Sequence, residues 1–247
     1  MAGASCGDTS VERGFAMSAS TRTNLPVHSI DLDIPASLSP LDASALIRRA
    51  GELGLRSVRV PAPAASAARD ALGDGIAVRI SCDRVAGWPG DSLPMHVGER
   101  LRGRRVDELD IPVDGTLIKD GAWLTAQLRR SCARCHAHGT FANVLIDMRG
   151  LEAPELRGRL RSLLLASVDA ITLAAPDGGD VEPELVAAAV DDTAGWAPIR
   201  VAAPGISRER LERLLELGIQ SVVVGPEGLG QLLAEPPAWH AVRPKAA

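Results

Sequence analysis

Short apolar runs alternate with amphipathic segments along most of the chain. The apolar runs are typical of parallel strands buried on both faces, whereas the segments between them repeat apolar residues at helical spacing. The pattern predicts eight strands, at residues 29–34, 56–60, 76–82, 107–113, 141–148, 169–175, 198–203 and 220–225. It predicts eight helices, at residues 41–53, 64–72, 92–103, 121–137, 153–166, 182–194, 207–217 and 227–234. Asp42 near the first helix and Ser207 with Glu209 near the seventh are typical of helix starts.

The strand–helix alternation also predicts the fold class. Eight such units within residues 28–234 indicate one α/β domain, a single (β/α)8 TIM barrel. An open doubly wound sheet is the alternative, but such sheets usually carry a Gly-rich dinucleotide loop, and no GxGxxG follows the first strands. In a barrel, the functional residues are expected at the carboxyl ends of the strands.

The two ends of the chain differ in composition from the barrel segment. Residues 1–27 are rich in Ser, Thr and Gly and predict a disordered leader, and residues 235–247 predict a Pro-rich flexible tail. The leader lacks the apolar segment of a signal peptide, and no apolar run approaches the roughly 18–20 residues of a membrane span. With four cysteines in no regular framework, these features predict a cytoplasmic protein without a membrane partner.

Composition narrows the function further. The formal net charge is −4, charges of both signs are mixed, and aromatic residues make up only 2% of the chain, so we expect no nucleic-acid partner. Of the 27 basic residues, only Lys119 and Lys245 are lysines. Any mechanism that needs an amine nucleophile has these two candidates, one in a predicted loop and one in the tail, and neither is expected inside the barrel.

Six stretches of the barrel segment carry a family resemblance. They are "LGLRSVRVPAPAASAARDAL" (53–72), "GWPGD" (87–91), "VDELDIPVDGTLIKDGAW" (106–123), "NVLIDMRGL" (143–151), "DAITLAAPDGG" (169–179) and "IRVAAPGISR" (199–208). In order and spacing they resemble deoxyribose-phosphate aldolase, a class I aldolase family with this barrel. The resemblance implies Schiff-base chemistry, in which a strand-end lysine attacks an aldehyde.

The same resemblance implies that the Schiff-base lysines are lost. Thr172 stands at the position of the reactive lysine, and Asn143 at that of a further lysine. The reactive lysine's neighbour matches Val201, or Arg200 if the turn has slipped by one residue. A threonine hydroxyl cannot form an imine, and an arginine stays protonated and non-nucleophilic. The predicted strand end therefore cannot carry out the family's chemistry.

The resemblance further implies a phosphate site at the turns after the seventh and eighth strands. These turns are "APG" (203–205) and "GPEG" (225–228) in this chain. A proline in each turn removes a backbone donor, and Glu227 adds a negative charge, so we expect phosphate binding to be weakened. The remaining candidate ligand-binding donors are the backbone N–H groups of Gly205, Gly225 and Gly228.

Three carboxylates are candidate acid–base groups. Asp110 matches the family's acid–base carboxylate, Asp31 matches a supporting one, and Asp147 stands in place of a glutamate. They would relay protons if one pKa were raised by the others; the alternative is a structural role. Arg59 and Arg200 lie in strands and must be paired if buried, so we expect Arg59–Asp110 and Arg200–Asp147 ion pairs. An anion clamp that also includes Asn143 is the alternative role of these arginines.

The segment "CARCHAH" (132–138) matches the C-x-x-C-H pattern of covalent haem attachment and also offers metal ligands. It ends a predicted helix on the outside of the barrel, and no second Cys/His cluster completes a site. A solvated helix end is the preferred interpretation, and we expect no metal and no cofactor.

Two classes of function follow from these residues. The favoured one is a deoxyribose-phosphate aldolase-like pseudoenzyme or small-metabolite-binding barrel without class I aldolase activity. Its ligand would be a small carbonyl or phosphorylated metabolite, and self-association into a homo-oligomer is left open. The alternative is an active lyase or isomerase that acts on a small carbonyl or sugar-phosphate substrate through Asp110, Asp147 and Asp31. An open carboxylate-lined pocket favours the enzyme, whereas closed Arg–Asp pairs favour the pseudoenzyme.

Overall fold

A computed structural model of the protein describes residues 25–82, 92–113, 121–175 and 178–234. Most of the predicted leader, the whole predicted tail and the "GWPGD" segment lie outside the described residues, as do Lys119 and Lys245.

The described residues form eight strands and eight α-helices in strict alternation. The strands are β1 Ile30–Asp33, β2 Ser57–Arg59, β3 Ala77–Ser81, β4 Glu108–Val113, β5 Phe141–Asp147, β6 Ala170–Ala174, β7 Ile199–Ala202 and β8 Ser221–Val224. The helices are α1 Pro40–Leu53, α2 Ala65–Leu72, α3 Ser92–Leu101, α4 Gly121–Ala137, α5 Ala153–Leu165, α6 Pro183–Thr193, α7 Arg208–Glu216 and α8 Pro226–Leu232. None of these eight helices is long and apolar enough to cross a membrane.

The eight strands close into a barrel in chain order, and all neighbours are parallel. Closure is made by β1 and β8, where Ile30 lies opposite Val222 and Leu32 opposite Val224. The predicted (β/α)8 TIM barrel is therefore confirmed, and the open doubly wound sheet is excluded. The carboxyl ends of all strands meet at one end of the barrel, which we call the mouth; the opposite end is the amino end.

The predicted helix starts have the expected capping geometry. Ser39 precedes α1 and its hydroxyl accepts a hydrogen bond from the Asp42 backbone N–H at 3.2 Å. Ser207 precedes α7 and accepts from the Arg210 backbone N–H at 3.3 Å. Such caps satisfy backbone donors that the first turn of a helix leaves without partners. The helices that follow β1 and β7 thereby begin at defined residues.

Strand alternation gives the sheet an apolar face toward the helices and a polar face toward the barrel interior. The helix-facing layer contains buried aliphatic residues of every strand, among them Leu32, Val58, Ile80, Leu109, Val144, Leu173, Val201 and Val222. The interior contains buried polar side chains, namely Asp31, Ser57, Arg79, Glu108, Asp110, Asn143, Thr172, Arg200 and Ser221. Barrel interiors are more often filled by branched apolar side chains. This barrel instead has a charged and hydrogen-bonded centre.

Candidate functional site

Two neighbouring cavities open at the mouth of the barrel. The inner one has a volume of about 170 Å³, and its lining includes Asp33, Arg59 and Thr172. The outer one, about 400 Å³, is lined by turns that follow β1, β7 and β8 and includes Glu227. Both share Asp33, Pro204 and Gly225, so they form one continuous region where the strands end. This is the position at which barrels of this type hold their ligands.

Arg79 is the centre of the charged network beneath these cavities. Its guanidinium donates to both oxygens of Asp110, at 2.8 and 2.9 Å. It also lies 3.3 Å from Asp31 and 3.4 Å from Glu108. Burial opposes the charge of Arg79, but the carboxylates around it outweigh burial and raise its pKa. One fully buried cation thus joins three carboxylates that come from β1 and β4.

Asp31 is held as a carboxylate by the groups around it. It accepts hydrogen bonds from Ser57 and Ser221, both at 2.5 Å, and from Arg56 at 2.7 Å. Burial would raise the pKa of Asp31, but the guanidiniums of Arg79 and Arg56 lower it to about 2. At neutral pH this group holds no proton to donate and is a weak base.

Asp110 is likewise kept ionised by neighbouring guanidiniums, and the side chains of Asn143 and Thr172 link it to the inner cavity. Burial acts to raise its pKa, but Arg79 and Arg59 keep it below the usual value. The Asn143 amide donates to Asp110 at 2.8 Å and to the Thr172 hydroxyl at 2.9 Å, and that hydroxyl donates back to the Asn143 carbonyl oxygen at 3.1 Å. Thr172, which is buried and lines the inner cavity, is thus one end of a chain of hydrogen bonds that begins at the Asp110 carboxylate.

Arg59 forms the ion pair with Asp110 that the sequence predicted, at 3.4 Å, although a stronger partner is Asp33. Its Nε donates to Asp33 Oδ1 at 2.7 Å, and its Nη2 donates to Asp33 Oδ2. Fork-shaped contacts of this kind hold both groups in place. The guanidinium that faces the inner cavity is therefore already neutralised by a neighbouring carboxylate.

The predicted Arg200–Asp147 pair is wrong. Arg200 donates to Glu108 at 2.5 Å and to the Gln220 side chain at 3.0 Å, toward the amino end of the barrel. In the strand register, Arg200 lies opposite Thr172, whereas Asp147 lies opposite Ala174, one inward-facing position nearer the mouth. The two groups lie at different heights in the barrel, which the sequence of each strand does not show.

Asp147 is therefore not brought together with Asp31 and Asp110. It is half-buried at the end of β5, where it accepts a hydrogen bond from the Arg149 backbone N–H at 2.9 Å. Neither mouth cavity includes it among its described lining residues. Of the three predicted acid–base carboxylates, Asp31 and Asp110 are thus bridged by Arg79, whereas Asp147 lies apart from them.

Val201 does not face the barrel interior, whereas the turn glycines lie at the mouth. Val201 belongs to the helix-facing layer, because its strand neighbours Arg200 and Ala202 are the ones that face the interior. Gly205 and Gly225 line the outer cavity, but the Gly225 N–H donates to the Pro204 carbonyl at 3.0 Å and is not directed at a ligand. Gly228 lies so close to this carbonyl that an added Cβ would be 2.1 Å from its oxygen.

The "CARCHAH" segment is not a simple solvated helix end, which corrects our interpretation of it. Cys132 and Cys135 lie on the buried face of α4, and burial raises the pKa of the Cys132 thiol to about 12. His136 contacts Asp169 at 2.8 Å. Among the described residues, no group of three or more His, Cys, Asp or Glu side chains is arranged to hold a metal ion.

Several members of the network were not predicted from the sequence, namely Arg56, Ser57, Arg79, Glu108 and Ser221. All five lie in predicted strands; four of them occupy inward-facing positions of the observed strands, and Arg56 comes directly before β2. Charged residues at alternate positions of otherwise apolar strands are the pattern that could have identified Arg79 and Glu108.

The ionised state of Asp31 predicts acid sensitivity. Because its folded pKa of about 2 lies below the ordinary 3.8, its contribution to stability is complete above pH 3.8 and is lost as the pH falls through about 2. The shift corresponds to about 2 kcal/mol. Urea titrations across this range should show a falling free energy of unfolding, with a smaller slope in Asp31→Asn. Equal slopes in the two proteins would contradict the assignment.

Comparisons with known proteins support the fold. Neither the sequence profiles of known families nor the sequences of curated proteins match this chain. Among solved structures, the aldolase QR15 matches with a TM-score of 0.70 at 15% identity, over 82% of this chain and 91% of that one. The deoxyribose phosphate aldolase from Aeropyrum pernix, a tetramer, matches with a TM-score of 0.68 at 14% identity, over 84% and 89%. The 3-hexulose-6-phosphate synthase from Salmonella typhimurium matches with a TM-score of 0.60 at 16% identity, over 84% and 94%. At such identities, the likeness shows the barrel alone.

Proposed function

We propose that this chain is an aldolase-like barrel that has lost the Schiff-base lysines and binds a small metabolite without class I aldolase chemistry. The observation that carries the proposal is the composition of the interior. Thr172 is the polar group of β6 that faces the inner cavity, and the charged groups beneath it are guanidiniums and carboxylates. No lysine occurs among the described residues, and a primary amine is what an imine requires.

The lining of the mouth favours a small carbonyl compound over a phosphorylated one. The outer cavity presents the carboxylate of Glu227, which repels a phosphate, whereas the carboxylate of Asp33 is paired with Arg59. Pro204 and Pro226 have no backbone N–H, and the Gly225 N–H is already bonded. The Thr172 hydroxyl, whose proton is donated to Asn143, keeps one lone pair that can accept a hydrogen bond from a ligand hydroxyl group. The volume of the inner cavity limits the ligand to a small molecule.

The alternative, a lyase or isomerase that works through Asp110, Asp147 and Asp31, has less support. General acid–base catalysis works best with a pKa near the working pH, whereas the pKa values of Asp31 and Asp110 are both lowered. Both groups are also saturated with hydrogen bonds from arginines and neutral side chains. Closed pairs of this kind are what a non-catalytic barrel is expected to contain.

We further propose that the chain self-associates, since the Aeropyrum pernix aldolase with this fold is a tetramer. A reducing cytoplasm remains our proposal for its location, in keeping with three described cysteines that are free and buried.

Borohydride trapping tests the proposed loss of chemistry. Incubation with acetaldehyde or 2-deoxyribose 5-phosphate and borohydride should give no adduct that depends on the native fold, because an imine cannot form at Thr172. A site-specific adduct would overturn the proposal.

A further inference from the structure

We infer that Asp33 and Arg59 form the recognition element for a small neutral compound that carries hydroxyl groups on neighbouring carbons. The inference rests on the proposed function, a barrel that binds a small metabolite at its mouth, and it names the chemical class of that metabolite. It does not depend on the missing lysines, because it concerns hydrogen bonding rather than imine formation.

The Asp33–Arg59 pair is an ion pair of the barrel interior that is open to the mouth. Asp33 ends β1 and Arg59 ends β2, opposite each other in the strand register. Their side chains are 30% and 22% exposed, whereas those of Arg79 and Asp110 in the network beneath are 1% and 0% exposed. Asp33 lines both mouth cavities, and Arg59 lines the inner one. A ligand that enters the inner cavity therefore meets this pair above a closed network.

The pairing leaves both side chains with unused hydrogen-bonding capacity. A guanidinium has five N–H donors, and a carboxylate has about four acceptor positions. Arg59 gives two donors to Asp33 and one, at 3.4 Å, to Asp110. Two N–H groups of Arg59 and two acceptor positions of Asp33 therefore remain without a partner among the described residues. The pair offers donors and acceptors side by side.

The charges of the interior favour a neutral ligand over an ion. Among the described residues, the buried network and the pair above it contain as many carboxylates as guanidiniums, namely those of Asp31, Asp33, Glu108 and Asp110 and those of Arg56, Arg59, Arg79 and Arg200. An anion would have to displace Asp33 from Arg59, and a cation would have to displace Arg59 from Asp33. A hydroxyl group displaces neither, because it donates one hydrogen bond and accepts others.

The inner cavity has two unlike sides. Asp33 and Arg59 lie on the side formed by β1 and β2. The opposite side, from β5 to β8, is mainly apolar and includes Leu145, Ala174, Ala202 and Val223. A compound with hydroxyl groups along one edge and C–H groups along the other matches both sides. The volume of about 170 Å³ lies below the roughly 300–1,000 Å³ of sites for drug-sized ligands, so we expect a compound of few carbons.

Hydroxyl groups are favoured over a carbonyl group alone. One hydroxyl can donate its proton to an Asp33 oxygen, while the oxygen on the neighbouring carbon accepts from an Arg59 N–H. Both hydrogen bonds involve a charged group and are therefore stronger than bonds between neutral groups. A carbonyl oxygen can only accept. A carbonyl compound without hydroxyl groups would thus leave the free acceptor positions of Asp33 and Thr172 without a donor.

Titration of the isotope-labelled full chain with matched small probes, followed in ¹H–¹⁵N spectra, tests the inference. Propane-1,2-diol, which has hydroxyls on neighbouring carbons, should bind and shift the Arg59 Nε–H resonance. Its isomer propane-1,3-diol separates the hydroxyls, and acetone has a carbonyl but no hydroxyl. Each of these two should bind at least about 10-fold more weakly than propane-1,2-diol, as expected for the loss of one hydrogen bond to a charged group. Acetate should not bind to the wild type.

Asp33→Asn tests the residue itself, because it removes the charge but keeps the shape. The variant should bind propane-1,2-diol at least about 10-fold more weakly than the wild type and should bind acetate, since the charge of Arg59 is no longer compensated by Asp33. Asp192→Asn is the matched control. Asp192 accepts from the Arg157 Nε at 3.0 Å and is 27% exposed, but it lies on α6, so its replacement should leave the diol affinity unchanged.

The outcomes separate the recognition element from the wider proposal, and the same spectra show that each variant is folded. Equal affinity for the two propanediols, or undiminished diol binding by Asp33→Asn, would overturn the inference. Acetone bound as tightly as propane-1,2-diol would overturn it as well, while leaving the mouth a site for carbonyl compounds. Acetate bound by the wild type would replace it with an anion clamp. The absence of any shift at the mouth would also overturn it, and none of these results bears on borohydride trapping.

Discussion

Replacement of Arg79 by methionine is expected to lower the free energy of unfolding by about 3–5 kcal/mol, since it removes one partner from a buried ion network. The methionine side chain would leave Asp110 without its two shortest charged contacts, and Asp31 and Glu108 with one cation fewer. Buried carboxylates that lose part of their compensating positive charge are destabilised unless they take up a proton. Urea titration at neutral pH measures the loss.

Two variants control this experiment. Arg79→Lys keeps the charge, but a single ammonium group cannot reproduce a planar fork that reaches three carboxylates, so we expect only partial recovery. Arg213→Met removes an exposed arginine that lies 4.0 Å from Glu209, and its effect should be within about 0.5 kcal/mol. If Arg79→Met lowers the free energy of unfolding no more than Arg213→Met does, the buried ion network does not stabilise the fold.

Gly228→Ala is expected to destabilise the protein by about 2–3 kcal/mol, although it adds a single methyl group. The new Cβ would lie 2.1 Å from the Pro204 carbonyl oxygen and 3.3 Å from the Gly205 Cα. These are backbone atoms, so α8 and the turn after β7 must separate. The hydrogen bond from the Gly225 N–H to the Pro204 carbonyl, at 3.0 Å, would be weakened in the process. Because Pro204 and Gly225 line both mouth cavities, ligand affinity should fall as well.

Gly158→Ala is the matched control for that substitution. Gly158 lies on the exposed face of α5, and an added Cβ there meets no atom within 4 Å. Alanine is the better helix former, so this variant should be more stable than the wild type by up to about 1 kcal/mol. Thermal unfolding of the two variants side by side should show changes of opposite sign. A Gly228→Ala protein as stable as the wild type would disprove the close approach of the two turns.

The fold could be predicted from the sequence because each local pattern agreed with the global one. All eight strands and helices begin and end within two residues of the predicted positions. Val- and Ile-rich runs between helix-period segments permit few arrangements other than a parallel sheet covered by helices. The two short 3-10 turns at Val27–Ser29 and Ala62–Ala64 were not predicted, because three residues carry no periodicity.

The candidate site could be predicted only in part, and the reason is register. Alternation along β4 indicates that Glu108 and Asp110 face the same side, but it does not show which residues of β3 lie beside them. The pairing of Arg79 with Glu108 and of Ser81 with Asp110 is fixed by the stagger of the strands. Because the register is not visible in the sequence, pairing each inward-facing arginine with a carboxylate gave the correct partner for Arg59 but the wrong one for Arg200.

The measurement that tests the central claim most directly is intact-mass spectrometry after borohydride reduction with acetaldehyde or 2-deoxyribose 5-phosphate. Native and urea-unfolded protein should be compared, together with the variant Lys119→Met/Lys245→Met, because any exposed amine reacts slowly without a site. We expect no adduct that depends on the native fold, because Thr172 cannot form an imine. A stoichiometric adduct that forms only on the native protein and is lost in the double variant would contradict the account and restore a class I aldolase.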